Sequence, residues 1–398
     1  MRHENTVFHG LLKVLPRRRF EQVVERFKSD WRTRRLPSWS QLVALVYAQF
    51  SGASSLREIE AGLLSHRTQL YHLGIKDKIC RSTLADANAA RQPELYEEIF
   101  EGLLGELGQR QVSKETVRLI DATSIRLNLA LNDWAHFAAR DHAGVKLHIC
   151  YDPAEQVPTY FAVSPARSAD ILAARAMPIL PGACYVFDLG YYDFAFWAAL
   201  DAAGCRFVTR LKCTTKPELI RARRIPKAEA RPREGRSTIL EDRIVHLGPN
   251  AGKKKPNPWR KPLREVVVAL EDGRTLRLAT NDLRSSARTI ADLYKTRWQI
   301  ELFFKWIKQN LRIKRFVGNS ENAVRIQLAT ALIAYLLLAI VRKISRIKVS
   351  LHAFASLMRI NLMHRRSLQQ IFDPSPPKTS LSHRSTFSQQ LALPHAFA

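Results

Sequence analysis

Three acidic residues and a row of cations are the side chains in this sequence whose types and spacing could do chemistry. Residues 294–308 contain no Gly or Pro, and strong helix formers outnumber β-branched residues, which predicts one helix. At 3.6 residues per turn, Tyr294, Arg297, Lys305 and Lys308 lie seven or four positions from Glu301 and share its stripe. Trp298, Ile300, Leu302, Phe303, Phe304, Trp306 and Ile307 take most other directions, so the helix is expected to be buried on most sides. A polar stripe on such a helix must face a cleft or a ligand.

Two further carboxylates stand in matching contexts. Asp121 follows residues 117–120 and Asp188 follows residues 184–187, each a four-residue run that reads as a buried strand. A carboxylate at the carboxyl end of a strand is where α/β sheets hold ligand groups, although either Asp alone would serve as well as a turn or helix-cap residue. Together with Glu301 they form a hard-oxygen set suited to two divalent ions, which bind the attacking and leaving oxygens of a phosphodiester displacement. The expected cofactor is Mg2+, as two ions, with Mn2+ substituting. Neighbouring Arg and Lys would hold phosphates. Asp152, Asp193 and Glu321 are acidic neighbours that could take the place of an assigned carboxylate, and Asp152 also follows a strand-like run. His136, His142 and His148 are spaced by six with no carboxylate partner near in sequence, and are not read as a metal site.

The charge of the chain identifies the class of partner. Among 398 residues, 63 Lys and Arg oppose 36 Asp and Glu, for a net charge of +27, which points to a polyanion, most simply nucleic acid. The excess lies in separated segments. Residues 1–35 carry ten cations against four acids, residues 206–264 carry eighteen against five, and residues 342–398 carry nine against one, as expected for a long ligand that crosses several domains. Five cysteines without a CxxC pair predict a reduced, intracellular chain. The apolar run at 328–341 is short for a membrane span and reads as a core helix.

The elements that must position these residues fall into blocks. Residues 1–112 read as all helix and as the DNA-binding domain, with helices at 17–28, 39–50, 82–91 and 93–107. A capping box at Ser55 and Glu58 opens another helix, running to about 64. Helix-turn-helix reading and a plain bundle both accommodate this region, the linker being long for the former. Residues 116–212 alternate strands (117–120, 123–129, 145–151, 159–163, 184–187, 206–211) with helices at 169–179 and 194–203, a mixed α/β layer that resumes at 284–345. Between them, residues 213–283 form a basic, Pro-broken, β-rich insertion with strands at 237–245, 264–270 and 275–280. Residues 346–398 are expected to be a basic tail, loosely ordered over the last 40 residues.

Tyr294, Arg297, Glu301 and Lys308 match all four positions of the Y-x2-R-x3-E-x6-K pattern, and here the chain resembles a group of bacterial insertion-sequence DDE transposases. The text around Asp121 (Ile120, Ala122, Thr123, Ser124) and Asp188 (Val186, Phe187, Leu189, Gly190, Tyr191) is similar to that family too. The resemblance implies an RNase H-like core interrupted by a β-rich insertion between the second Asp and the Glu. It also implies strand cleavage and transfer by Asp121, Asp188 and Glu301 as metal ligands. Tyr294 and Arg297 would contact the terminal phosphate of the element's end, and Lys308 the adjacent backbone. Lys305, on the same stripe, is expected to join them on DNA. Trp259, the only Trp of the insertion, is the candidate for an aromatic that receives a flipped base. The expected partners are double-stranded DNA, as element ends and target, and a second copy of the chain in a synaptic homodimer, without a membrane and in the cytoplasm at the nucleoid. A catalytically silent DNA binder, or a structure-specific nuclease on the same fold, is the alternative.

Overall fold

The computed structural model describes residues 5–107, 116–127, 134, 136–137, 142–227, 238–248, 257–270 and 273–372. Seven helices come first: α1 (Val7–Leu12), α2 (Arg17–Arg26), α3 (Ser38–Ser51), α4 (Leu56–Ser65), α5 (Arg67–Leu70), α6 (Arg81–Ala90) and α7 (Glu94–Glu106). Their ends follow local chemistry. Pro16 and Pro37 precede α2 and α3, and Gly52 stops α3 in the left-handed region at φ 82°. Ser55 Oγ accepts the Glu58 N–H at α4, while the Glu58 carboxylate reaches back to the Ser54 N–H at 2.7 Å, so the expected capping box forms one residue wider than drawn.

The strands are β1 (Val117–Leu127), β2 (His136–Phe137), β3 (His142–Asp152), β4 (Val157–Pro165), β5 (Cys184–Phe187), β6 (Arg206–Arg210), β7 (Glu218–Ala222), β8 (Thr238–His246), β9 (Leu263–Ala269) and β10 (Thr275–Thr280). They make one sheet in the order β2-β3-β1-β5-β6-β10-β9-β8-β7, with β4 also on β3. Strands β1, β3 and β4 are antiparallel, and β5 and β6 run parallel to β1. Helices α8 (Asp170–Ala176) and α9 (Phe194–Ala202) supply the crossovers that parallel strands need. Two expected strands at 117–120 and 123–129 are one strand, because Asp121 and Ala122 stay in the ladder opposite Ile149 and His148. The strands of the 213–283 segment lie close to their expected positions, with β7 in addition. They prolong the same sheet, since β10 pairs antiparallel with β6.

Five helices close the described chain: α10 (Ala287–Thr296), α11 (Trp298–Asn310), α12 (Glu321–Ile344), α13 (Leu351–Asn361) and α14 (Leu368–Phe372). The single helix expected over 294–308 is divided at Arg297. There the Arg297 and Ile300 N–H groups bond three residues back, to Tyr294 and Arg297 carbonyls, at 3.1 and 3.2 Å, a tightened turn between two α-helices. Helix α12 is long and apolar enough to cross a membrane, but 89% of its most apolar window is buried. It packs on α3, α6, α7 and β4 and is the core helix the sequence predicts.

Alternation along β1 sorts residues to two cores. Leu119 and Ile125 join α11 and α12 and the N-terminal helices in one, while Ile120 joins Phe187, Trp197 and Phe207 in the other. Where a loose tail is expected from about residue 359, α13 runs on to Asn361, Leu362 and Met363 are buried, and the Leu362 and His364 carbonyls accept the Phe8 and Val7 N–H groups at 2.8 and 3.0 Å. Residues 373–398, the rest of that expected tail, lie outside the described residues.

Candidate active site

The parallel register of β1 and β5 sets Ile120 opposite Phe187. Asp188 continues in extended geometry (φ −95°, ψ −168°), so the next pair in register is Asp121 and Asp188, with side chains on the same face. The turn after β5 holds Asp188 in place: its Oδ1 accepts the Gly190 N–H at 2.8 Å, and its carbonyl accepts the Thr209 hydroxyl at 3.3 Å. A Cβ at Gly190 would stand 3.0 Å from Asp188 Oδ1 and 3.4 Å from Asp170 Oδ2, which accounts for glycine there.

Helices α10 and α11 bring the third carboxylate to this face. Arg297, at the turn between them, donates to Asp121 Oδ2 at 3.4 Å and closely to Glu301 Oε1, so one guanidinium joins the strand carboxylate to the helix carboxylate. The same guanidinium lies 5.9 Å from the centre of the Tyr294 ring. Lys308 donates to the hydroxyl of Thr123, two residues along β1 and on the same face as Asp121. Burial pushes the Asp121 carboxyl up to about 6, and the negative charges of Asp188 and Glu301 act the same way against the Ala122 N–H and Arg297. Thus four of the predicted side chains, Tyr294, Arg297, Glu301 and Lys308, converge with Asp121 and Asp188.

A sequence family described as "Transposase DDE domain" matches residues 112–337. The chain belongs to the DDE transposases. A protein of Sinorhizobium fredii named as a transposase is 40% identical over 303 residues, 76% of this chain and 82% of its own length. A Geobacillus stearothermophilus protein named as a transposase for an insertion sequence element is 30% identical over 228 residues, 56% of this chain and 55% of that one. The piggyBac transposase in a synaptic complex with hairpin DNA has a looser likeness, at a TM-score of 0.46 and 10% identity over 89% of this chain and 79% of the other. Residues 3–76 match a family described only as a domain of unknown function. As a DDE transposase the chain is an insertion-sequence enzyme of DNA cleavage and transfer, and the family depends on divalent metal.

The candidate site offers the donors such a metal takes. Three carboxylates supply hard oxygen ligands, and the Asp121 carboxyl is raised first by burial and then by the charges of Asp188 and Glu301, charges that a cation would answer. Among the described residues no three acidic, His or Cys side chains stand together as a ready ion cage. Arg297 meanwhile pairs with Asp121 and Glu301. The donor chemistry fits a divalent ion, with the guanidinium as the present counter-charge.

Other sequence-predicted residues take different places. Lys305 is exposed on α11 and makes no ion pair among the described residues. Trp298 and Leu302, expected to be buried, are 59% and 50% exposed. Trp259 is 2% exposed, edge-on to Phe207 in the core on the other face of the sheet, so this conformation does not present it to a base. Asp152 pairs with Arg118 at 2.7 Å and closes the β3–β4 turn. Asp193 caps α9 and pairs with Arg175, and Glu321 lies in the first turn of α12. All three therefore serve the fold. His148 bonds Ser164 at 2.8 Å, while the side chains of His136 and His142 lie outside the described residues. Sequence reasoning missed Thr123, which period-two alternation from Asp121 could have found, and Tyr191. Among the described residues the Tyr191 hydroxyl is buried without a hydrogen-bond partner, and burial followed by the charges of Asp121, Asp170 and Asp188 raises its pKa.

Proposed function

We propose that this transposase binds the terminal inverted repeats of its own insertion sequence, cuts at the ends and joins them to target DNA, using an RNase H-like core. Asp121, Asp188 and Glu301 would hold two Mg2+ ions, which when bound supply Lewis-acid activation of the attacking and leaving oxygens. The observation that carries this reading is the register that sets Asp121 beside Asp188, with Glu301 joined to the pair through Arg297.

The remaining steps belong to the chain's own side chains. Arg297 can exchange its carboxylate partners for a phosphate, the anion a guanidinium grips in the same bidentate manner. Tyr294, 5.9 Å away from that guanidinium, flanks the same phosphate. Lys308 leads from Thr123 to the adjacent backbone, and exposed Lys305 adds charge farther along α11. The N-terminal helices take the repeat, and two copies pair in the synaptic complex so that both ends are cut in one assembly.

The test is cleavage of a labelled duplex that carries the element's flanks, with Mg2+, by wild type, Asp188→Asn and Glu301→Gln. Both variants should lose nicking and strand transfer by at least ~10³-fold, in keeping with loss of metal ligation, and should retain end binding in a gel shift. Nicking at wild-type rate by either variant would refute the assignment.

A further inference from the structure

The segment that joins α2 to α3 has an organisation that the fold does not explain. Trp31 is 73% exposed, against the tendency of a large aromatic to bury its area. Around it Lys28, Arg32, Arg34 and Arg35 are all exposed, and among the described residues none pairs with a carboxylate. These cations border a hollow of about 800 Å3 between this segment and α6, with Asp86 as the acid on its α6 side.

The segment is also held in shape. Lys28 and Arg32 have φ of 49° and 58°, a left-handed conformation that costs a non-glycine residue on the order of 1 kcal/mol or more and persists where surroundings enforce it. The Ser29 N–H bonds the Val24 carbonyl at 3.1 Å, so Lys28 occupies the position of a helix-ending turn that normally takes glycine. Asp30 fixes the centre by accepting the Ser38 N–H and hydroxyl, each at 2.7 Å, and Arg91 at 3.3 Å. Buried Arg91 also donates to the Leu36 carbonyl at 2.5 Å and to Gln41, which bonds Asn88 of α6. The one acid of the segment is thereby used inside, and its four cations and its indole point outward.

We infer that residues 28–35 form a DNA-gripping arm, in which Arg32, Arg34, Arg35 and Lys28 hold backbone phosphates while Trp31 stacks on an unpaired base. This rests on the proposed function and gives a role to part of the region of unknown function at residues 3–76. Arginine suits phosphate through its fixed fork of donors, and an exposed indole among cations suits a base that has left the stack, since every base offers a π-face. A pre-held arm would lose less conformational entropy on binding than a free one.

The experiment measures full-length protein against a blunt duplex and the same duplex with a short single-stranded overhang, by fluorescence anisotropy across a salt series. In Arg32→Gly/Arg34→Ala/Arg35→Ala, the slope of log affinity against log salt should fall by about one per cation removed, on both probes. Glycine is used at Arg32 because it accepts the left-handed backbone. The triple Arg→Lys variant should recover the slope and so separates lost charge from a damaged fold. Trp31→Ala should weaken the overhang probe on the order of ten-fold and the blunt probe much less, with Trp31→Phe close to wild type.

An unchanged slope in the folded triple neutral variant overturns the phosphate assignment. Equal loss on both probes for Trp31→Ala overturns stacking. A change in protomer number for Trp31→Ala, with DNA affinity unaltered, means that a second copy of the chain covers this surface, and overturns the proposal in favour of a protein interface. If wild type binds neither probe, the proposed function fails with it; if wild type binds and cuts while the arm variants match it, only the arm is wrong.

Discussion

Replacing Asp121 by Asn should make the metal-free protein more stable at neutral pH. The carboxyl sits at about 6 in the fold against an ordinary 3.8, first because it is buried and then because Asp188 and Glu301 repel its charge. A raised carboxyl binds its proton more tightly folded than unfolded, so the folded state loses stability as pH climbs from ~4 to ~6 and carries the full penalty above that. Two pH units between the states correspond to about 3 kcal/mol at neutral pH. The side chain is 18% exposed, so solvent screens little of this. Asn keeps the shape and the acceptor for the Ala122 N–H and removes the ionisation. Urea unfolding at a series of pH values from 4 to 8 should show Asp121→Asn and wild type converging at the acid end and separating in favour of the variant by a few kcal/mol at pH 8. Added Mg2+ should then stabilise wild type, because an ion bound only to the folded state shifts the balance by mass action, and should stabilise the variant far less. A stability difference that does not change between pH 4 and 8 would refute the claim that this carboxylate is held against its own charge.

Two further outcomes follow from contacts at the site and under the arm. Lys308→Ala should weaken binding of pre-cut ends by about 10- to 100-fold, as expected for loss of one charged hydrogen bond, and of uncut ends less. Thr123→Val, which removes the hydroxyl that Lys308 meets, should do the same more mildly, and gel shifts on the two substrates decide it. Arg91→Leu should cost on the order of 3 kcal/mol in denaturant unfolding, because it leaves Asp30 and Gln41 without their buried partner; a cost below ~1 kcal/mol would mean that the network under the arm is dispensable.

Much of the candidate site's geometry could be read from local text because it is a matter of register. The apolar runs before Asp121 and Asp188 have equal length, and the parallel ladder pairs them residue for residue from Val117 with Cys184 to Ile120 with Phe187, so the two acids emerge side by side. The stripe through Arg297 and Glu301 likewise depends only on helical spacing, which survives the tightened turn because Arg297 keeps helical angles (φ −52°, ψ −31°). What escaped the reading depends on tertiary placement. Asp121 ends no strand, since β3 continues the ladder past it, and a polar residue inside a strand looks the same in sequence as one after it. Trp259 stands beside Pro258 and among lysines, yet its ring fills a space against Phe207 that only the assembled sheet creates. Trp298 and Leu302 resemble core residues by type, but α11 gives its inward face to Ile300, Phe303, Phe304 and Ile307.

Arg297 shows how much one side chain can decide at such a site. The stripe read from sequence surrounds Glu301 with cations and leaves open which of them answers the acids on the strands. In the fold a single guanidinium meets Asp121 and Glu301, while Lys308 turns to Thr123 and Lys305 to the exterior. Asp188 makes no ion pair among the described residues, its Oδ1 bonding the Gly190 N–H instead. Among the described residues one half-buried guanidinium therefore answers two of the three acids, and burial with the charges of Asp188 and Glu301 raises the Asp121 carboxyl. Under the proposed function that imbalance suits cations and phosphates: Asp121, Asp188 and Glu301 would hold a divalent ion that answers the unmatched charge, and the Arg297 guanidinium would then be free to hold a phosphate.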